Sequence, residues 1–142
     1  MGAYLTPLGG VAVQLINKTG APSVKGSLVC PSPSTDAAVR LTETDDIDPC
    51  GVILNSGVSD GSDVWVVVSG VAEVLLEDST AATRGYWART SITQAGRANI
   101  TAAVPAGGTI TAIEAHMKEV GHSLESVTAG TNKLCRIFFH TN

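Results

Sequence analysis

The sequence has few charged residues, and its positive charges are never clustered. Charged residues make up 15% of the 142 residues, and 9 Lys and Arg stand against 13 Asp and Glu, which gives a net charge of −4. The basic residues occur singly, without runs and without interleaved aromatic residues. Because proteins that bind nucleic acid need basic patches to neutralise phosphates, the sequence argues against a nucleic-acid partner.

Long hydrophobic runs are also missing. The longest apolar run, residues 64–68, is far shorter than the roughly 20 residues that span a bilayer. Residues 1–10, MGAYLTPLGG, have neither the basic start nor the apolar stretch of a secretory signal peptide. Three cysteines, Cys30, Cys50 and Cys135, form no CxxC pair. We therefore expect no membrane partner and reduced thiols from folding in a cytoplasm.

Catalytic and metal-binding patterns are not visible in the sequence. It contains no G-x-S-x-G motif. The spacing of His116, His122 and His140 matches no zinc pattern, and the acidic segment 43–49 lacks the glycine and terminal Glu of an EF-hand loop. We interpret the histidines as surface or interface residues and the acidic segment as a solvated loop. The sequence thus predicts a protein that is not an enzyme and holds no cofactor and no metal.

Small and apolar side chains are abundant instead. Hydrophobic residues make up 44% of the chain, 15 residues are glycine, and the mean hydropathy is +0.22. Two interpretations stay open at this point. Part of the surface is covered by a partner, or the composition only reflects a chain rich in Ala, Gly and Thr.

Short β-branched segments recur about every ten residues, separated by Gly, Pro, Asn and Asp. This pattern is typical of an all-β barrel or sandwich. We predict a single β-barrel domain over residues 11–142, preceded by an extended N-terminal arm, residues 1–10. One segment allows a turn or two of helix, because Ile110, Ile113, Met117 and Val120 fall at helical spacing.

One strand–turn–strand unit occurs twice in the sequence. GVILNSGVSDGSDVWVVV begins at Gly51, and a weaker copy, GHSLESVTAGTNKLCRIFF, begins at Gly121. The alignment places residues 64–68 on 134–138, and we expect Gly61 and Gly130 to supply positive φ in the two turns. We interpret the pair as a pseudo-duplication that closes a barrel. The second copy replaces Asp60 and Asp63 by Ala129 and Asn132, which keeps turn geometry and discards carboxylate chemistry.

Four segments follow one another in an order that has a parallel in a known family. Residues 17–29 read NKTGAPSVKGSLV, and residues 51–54 and 64–74 read GVIL and VWVVVSGVAEV. RGYWA and AGRA follow at 84–88 and 95–98, and VGHSLES at 120–126 precedes a closing apolar strand. In this order the segments resemble the capsid decoration (cement) proteins of tailed bacteriophages over residues 11–140.

The resemblance implies a β-barrel or β-tulip-like fold, often a homotrimer, clamped on the capsid exterior and without catalytic residues or cofactor. It also implies the major capsid protein of a phage as partner, a location on the virion, and synthesis in the bacterial host cytoplasm. The N-terminal arm is expected to order on docking. The expected capsid contacts are Tyr4, Leu5, Pro7, Leu8, Trp65 and Trp87.

An alternative function rests on the aromatic residues. Trp65, Tyr86 and Trp87 would line a sugar-binding face if they lay together on the surface, since aromatic rings stack on sugars. The chain would then be a glycan- or receptor-binding module displayed on a virion or tail. The same rings would instead fill the core if they are buried, because the sequence has few aromatic residues in all.

Overall fold

A computed structural model describes residues 2–102 and 108–141. Its strands confirm the predicted all-β class. The elements, in chain order, are β1 (Ala3–Leu5), β2 (Gly10–Asn17), β3 (Leu28–Pro31), β4 (Ala38–Leu41), β5 (Gly51–Ile53), β6 (Asp63–Leu75), β7 (Trp87–Thr90), β8 (Ala98–Thr101), α1 (Ile110–Met117), β9 (Glu119–Ser123) and β10 (Leu134–Phe139).

Five strands of the first half close into a ring. β2 pairs antiparallel with β6 and parallel with β4, and antiparallel pairs from β4 to β3, β5 and back to β6 complete the circuit. We call this ring, residues 10–69, the first barrel. A closed ring leaves fewer free strand edges than an open sheet.

The second half repeats the circuit. The end of β6 pairs with β10, then the ladder runs through β9 and β7 to β8. A parallel bridge between Leu76 and Ala98 returns to the end of β6. It is equivalent to the parallel pair Asn17 and Val39 that joins β2 to β4. We call this ring, residues 70–139, the second barrel.

β6 is 13 residues long because it serves both barrels. Gly70, with φ +85°, lies where the strand passes from one ring to the other. A Cβ at Gly70 would lie 2.6 Å from the Gly9 carbonyl oxygen, and one at Gly10 would lie 2.6 Å from the Val71 carbonyl oxygen. Glycine at both positions lets the start of β2 cross β6 this closely.

The first part of β6 is covered on both faces, as its sequence predicts. Val66 belongs to a buried cluster confined to the first barrel. Its neighbour Val67, on the opposite face, belongs to a larger cluster that continues into the second barrel and includes Ile137 and Phe139. One of the two clusters is therefore shared by both barrels, and the other belongs to the first barrel alone.

The duplication extends beyond the strand–turn–strand unit to a whole barrel. Each copy belongs to a ring of its own, whereas the sequence predicted that the pair closes a single barrel. Ser23 N–H donates to the Val58 carbonyl at 2.8 Å, and the equivalent Ala82 N–H donates to the Val127 carbonyl at 2.9 Å. The Lys25 N–H donates to Ser56 Oγ at 2.8 Å, and the Arg84 N–H donates to Ser126 Oγ at 3.2 Å. Both pairs of bonds connect the same two loops in each copy, which supports the predicted pseudo-duplication.

Two details of the predicted alignment are wrong. Val66 pairs with Ile53 and Ile137 pairs with Ser123, so residues 64–68 correspond to 135–139 and not to 134–138. Gly61 has the predicted positive φ of +87°, but Asn132, at +52°, takes the left-handed position in the second copy. Gly130 lies outside that region. The turn of the second copy is two residues longer, which displaces both features.

The helical spacing noted in the sequence corresponds to α1. Thr109 caps the helix, since its Oγ1 accepts from Ala112 N–H at 3.2 Å. Ile110 and Ile113 are 77% and 54% exposed, whereas Val120 is buried in β9. The apolar stripe therefore does not pack as one core face. Among the residues that the structure describes, no helix is long and apolar enough to cross a membrane.

Candidate functional site

The N-terminal residues form a hairpin on the first barrel, where the sequence predicted an extended arm. β1 pairs antiparallel with β2, with Leu5 opposite Val11. β1 stands at one end of the strand order, and all three of its residues are exposed. Edge strands of this kind present unpaired backbone groups to a partner.

A tight turn fixes the tip of the hairpin. Thr6, buried, donates its N–H to the Gly10 carbonyl at 2.7 Å, and its Oγ1 accepts from Gly10 N–H at 2.9 Å. Gly9 has φ +95°, which closes the turn without strain. Because the threonine is held inward, Pro7 and Leu8 are left exposed at the tip.

Five exposed apolar side chains lie along this hairpin, and we call them the N-terminal surface: Tyr4, Leu5, Pro7, Leu8 and Val11. Leu5 is 76% exposed. The Tyr4 ring packs edge-on against Trp65, with ring centroids 4.6 Å apart. Scattered exposed apolar residues are ordinary, but several on one hairpin are typical of an interaction site.

A cavity of about 330 Å³ opens beside the hairpin. Pro7 and Leu8 line it together with Val67 and Val71. Lys25 and Glu73, which form an ion pair at 2.5 Å, line it as well. A mainly apolar recess with one charged pair suits the side chain of a protein partner.

The structure brings together five of the six residues predicted to contact a partner and separates the sixth. Trp65 joins the hairpin through its contact with Tyr4. Trp87 lies on β7 of the second barrel, half-buried, with its ring 4.5 Å from that of His122. The two tryptophans therefore belong to different surroundings.

Sequence reasoning missed a group of side chains on the second barrel. Glu119, His122 and His140 place their donor atoms within 4.8 Å of one another. His140 lies 18 residues after His122, and antiparallel pairing of β9 with β10 brings it back to Glu119 and His122. Comparison of the two copies could have found this group. The first copy has Pro49, Val52 and Ser69 at the equivalent places, so these three ligand-type side chains are particular to the second copy.

The acidic segment 43–49 connects the two barrels. The sequence predicts a solvated loop here, but the segment is not simply solvated. Asp45 donates its N–H to the Ser91 carbonyl at 2.7 Å, and its carboxylate lies 2.9 Å from Lys118 Nζ. Thr90 Oγ1 donates to the Asp46 carbonyl at 2.8 Å. These contacts tie a loop of the first barrel to the end of β7 and to Lys118, which lies between α1 and β9.

The side chain of Asp46 lies between the loop and the first barrel. Burial acts to raise its pKa, but hydrogen bonds from the Asp48 side chain and from the backbone of Glu43 and Asp48 lower the pKa to about 2. Burial raises the pKa of the Cys30 thiol to about 12. Cys30 Sγ, 3.5 Å from Asp46 Oδ2, is therefore a protonated donor at neutral pH and a poor metal ligand.

The three cysteines are free thiols, Cys30 and Cys135 buried and Cys50 half-buried. Burial raises the pKa of Cys50 and of Cys135 to about 11. Since the thiolate is the reactive form, all three are expected to be unreactive at neutral pH.

Comparison with known proteins shows a shared fold. No protein-family model matches the chain, and no curated protein sequence matches it. The chain is similar in structure to the head fiber gp8.5 N base of bacteriophage phi29, with a TM-score of 0.59 and 15% sequence identity. The match covers 90% of this chain and 92% of that one. At this identity the likeness establishes that both chains have the same fold.

Proposed function

We propose that this chain is a structural protein of a phage virion that binds the outside of the assembled capsid and stabilises it. The N-terminal surface carries the proposal, because it is an apolar hairpin held rigidly against the first barrel and exposed to solvent. The partner is the major capsid protein, and the chain acts as a homotrimer, as in the decoration proteins that the sequence resembles.

The fold likeness supports a location on the virion. The similar chain is the N base of the head fiber of a bacteriophage, so a chain with this fold is part of a head fiber in at least one phage. The likeness covers nearly the full length of both chains, which means that the two-barrel arrangement as a whole is comparable. Fold alone does not determine function, so the chemistry of the surface must support the proposal as well.

Burial of the N-terminal surface supplies a driving force for docking. Leu5 is 76% exposed, and removing a leucine side chain from water contributes about 1.5–3 kcal/mol. A protein that binds the assembled shell more tightly than loose subunits stabilises the shell by mass action. Stabilisation then needs no catalytic group.

The glycan-binding alternative has weaker support. A sugar platform requires aromatic faces that lie together and are open to a ligand. The Trp65 ring is engaged by Tyr4, and the Trp87 ring is engaged by His122 on the other barrel.

Co-sedimentation with capsids tests the proposal. We expect the chain to sediment with expanded heads of the virus that encodes it and not with free capsid subunits. Leu5→Asp should weaken binding to heads at least about tenfold, since one buried leucine is worth that much or more. Ile92→Asp is the matched control, because Ile92 is also exposed, at 52%, but lies on the second barrel.

Two outcomes would contradict the proposal. Equal binding to assembled heads and to free subunits would remove the stabilising role. Equal effects of Leu5→Asp and Ile92→Asp would show that the N-terminal surface is not the contact.

A further inference from the structure

Three potential metal ligands converge on one side of the second barrel. Glu119 and His122 lie on β9, and His140 follows β10. His140 Nε2 is 3.1 Å and His122 Nδ1 is 3.9 Å from the same carboxylate oxygen, Glu119 Oε1. The Glu119 side chain is 6% exposed, whereas the histidine side chains are 40% and 37% exposed. The cluster is thus anchored in the protein and open to solvent on the histidine side.

Irregular backbone brings Glu119 and His122 together. On a regular strand, residues three apart point to opposite faces. Here β7 and β9 shift register, so that Ala88 is opposite Gly121 and Arg89 is opposite Glu119, with Val120 left over as a bulge. Gly121 has φ +140°, in the region that favours glycine. A bulge re-aims side chains in this way and is common beside functional sites.

His140 reaches the same place through the antiparallel partner strand. Gly121 is opposite Phe139 on β10. The next residue, His140, donates its N–H to the Val120 carbonyl at 3.1 Å. The imidazole therefore emerges beside the bulge, level with Glu119.

The donor separations suit a small divalent ion. Bonds of about 2.0–2.2 Å from zinc to nitrogen and oxygen put neighbouring tetrahedral donors roughly 3.3 Å apart. The separations of 3.1 and 3.9 Å bracket that value. All three donor atoms lie within 4.8 Å of one another.

The chemistry of the donors selects the class of metal. Two imidazoles with one carboxylate suit zinc and other divalent transition metals, whereas calcium and magnesium prefer oxygen ligands throughout. The Trp87 ring, 4.5 Å from the ring of His122, limits the orientations of that imidazole. His116 Nδ1 is 3.7 Å from Glu119 Oε2, the other carboxylate oxygen.

The duplication shows that the fold does not require this cluster. The first barrel closes in the same way with Pro49, Val52 and Ser69 at the equivalent positions. We propose that Glu119, His122 and His140 form a binding site for one divalent transition-metal ion, of which zinc is the representative, on the second barrel.

Zinc titration of the metal-free chain tests the proposal. We expect calorimetry to show about one Zn²⁺ per chain, and Co²⁺ to give the visible absorption bands of a protein-bound ion. His122→Ala, His140→Ala and Glu119→Gln should each weaken Zn²⁺ binding at least about tenfold. Changing a residue that only hydrogen-bonds to a metal ligand already costs about tenfold or more, and these three residues are the proposed ligands themselves. Far-UV circular dichroism in EDTA checks that each variant is folded.

Glu125→Gln is the matched control, because Glu125 is a carboxylate paired with Arg136, away from the histidines. It should bind Zn²⁺ as the unchanged chain does. The proposal is overturned if the unchanged chain takes up no Zn²⁺, or if folded His122→Ala and His140→Ala proteins bind it as tightly as the Glu125→Gln control.

Discussion

The two barrels share one topology, but one face of the sheet is buried in the first barrel and partly exposed in the second. Val52 and Val67 are each 1% exposed in the first barrel. Their equivalents in the second are His122, half-buried, and Phe138, 54% exposed. In the first copy this face is part of the core that the barrels share. In the second copy no further ring of strands among the described residues covers it, so the same positions are free to carry polar chemistry.

This comparison separates what the fold needs from what it tolerates. Both copies keep a glycine at the equivalent position of the fourth strand of the ring, Gly51 in β5 and Gly121 in β9, and both keep the hydrogen bonds between equivalent loops. Side chains on the outer faces diverge freely. Functional differences between the halves are therefore expected in the outer side chains and at the bulge in β9, where Gly121 has φ +140° and Gly51 has an ordinary φ.

The largest effect is expected from alanine at Gly121 compared with alanine at Gly51. A Cβ at Gly121 would overlap the Phe138 carbonyl oxygen, and φ is +140°. A Cβ at Gly51 would meet mainly the Val66 Cγ1 atom of a side chain, at ordinary φ. We expect Gly121→Ala to lower the free energy of unfolding by about 4 kcal/mol and Gly51→Ala by about 1–3 kcal/mol. Urea unfolding measures both, and a larger loss for Gly51→Ala would contradict the assignment of backbone strain to the second barrel.

An intermediate effect is expected from acid, acting on the loop that joins the barrels. The folded pKa of Asp46 is about 2, below the ordinary value of 3.8, so its contribution to stability is present above pH 4 and is lost as pH falls through about 2. A difference of this size corresponds to about 2–2.5 kcal/mol. The pKa of Asp48 is raised, mainly by its hydrogen bond with Asp46, so the two carboxyls titrate as a pair.

Asp46→Asn tests this by removing one member of the pair. The fall in unfolding free energy between pH 6 and pH 2, measured by urea titration, should be smaller in the variant than in the unchanged chain. An identical fall in both proteins would show that the acid-sensitive contact lies elsewhere.

The smallest effect is expected at two exposed aspartates. Each makes a hydrogen bond between the same two loops of its barrel, but the aspartate lies on one loop in the first barrel and on the other loop in the second. Asp60 accepts from Gly20 N–H in the first barrel, and Asp78 accepts from Asn132 N–H in the second. These backbone hydrogen bonds are the main cause that lowers the pKa of each carboxyl. Because both groups are exposed, Asp60→Asn and Asp78→Asn should each lower the melting temperature slightly and by similar amounts. A large loss in one variant alone would show that the two loops are not equivalent.

Local patterns made the all-β class and the repeat predictable from the sequence. Gly61 has the positive φ that its turn-forming neighbours indicate, whereas the close approaches at Gly51 and Gly121 come from a partner strand. The alignment was wrong in the turn of the second copy, because Asn132 takes the left-handed position expected of Gly130. A residue other than glycine at positive φ leaves little trace in a sequence.

Long-range pairing could not be predicted. The parallel bridge between Leu76 and Ala98 closes the second barrel across 22 residues, and nothing in either segment indicates its partner. The convergence of Glu119 and His140 depends on register and on a bulge in β9. Spacing rules for metal sites describe ligands on one element or turn, so they miss donors that a sheet brings together.

Electron cryomicroscopy of virus particles with and without the protein tests the central claim most directly. We expect additional density on the outside of the head, with the first barrel innermost and the hairpin of Tyr4, Leu5, Pro7 and Leu8 against the capsid protein. Density that placed the hairpin in solvent, with the face of Trp87 and Phe138 against the capsid, would contradict the assignment of the docking surface. Identical heads in the two preparations would contradict the proposed function itself.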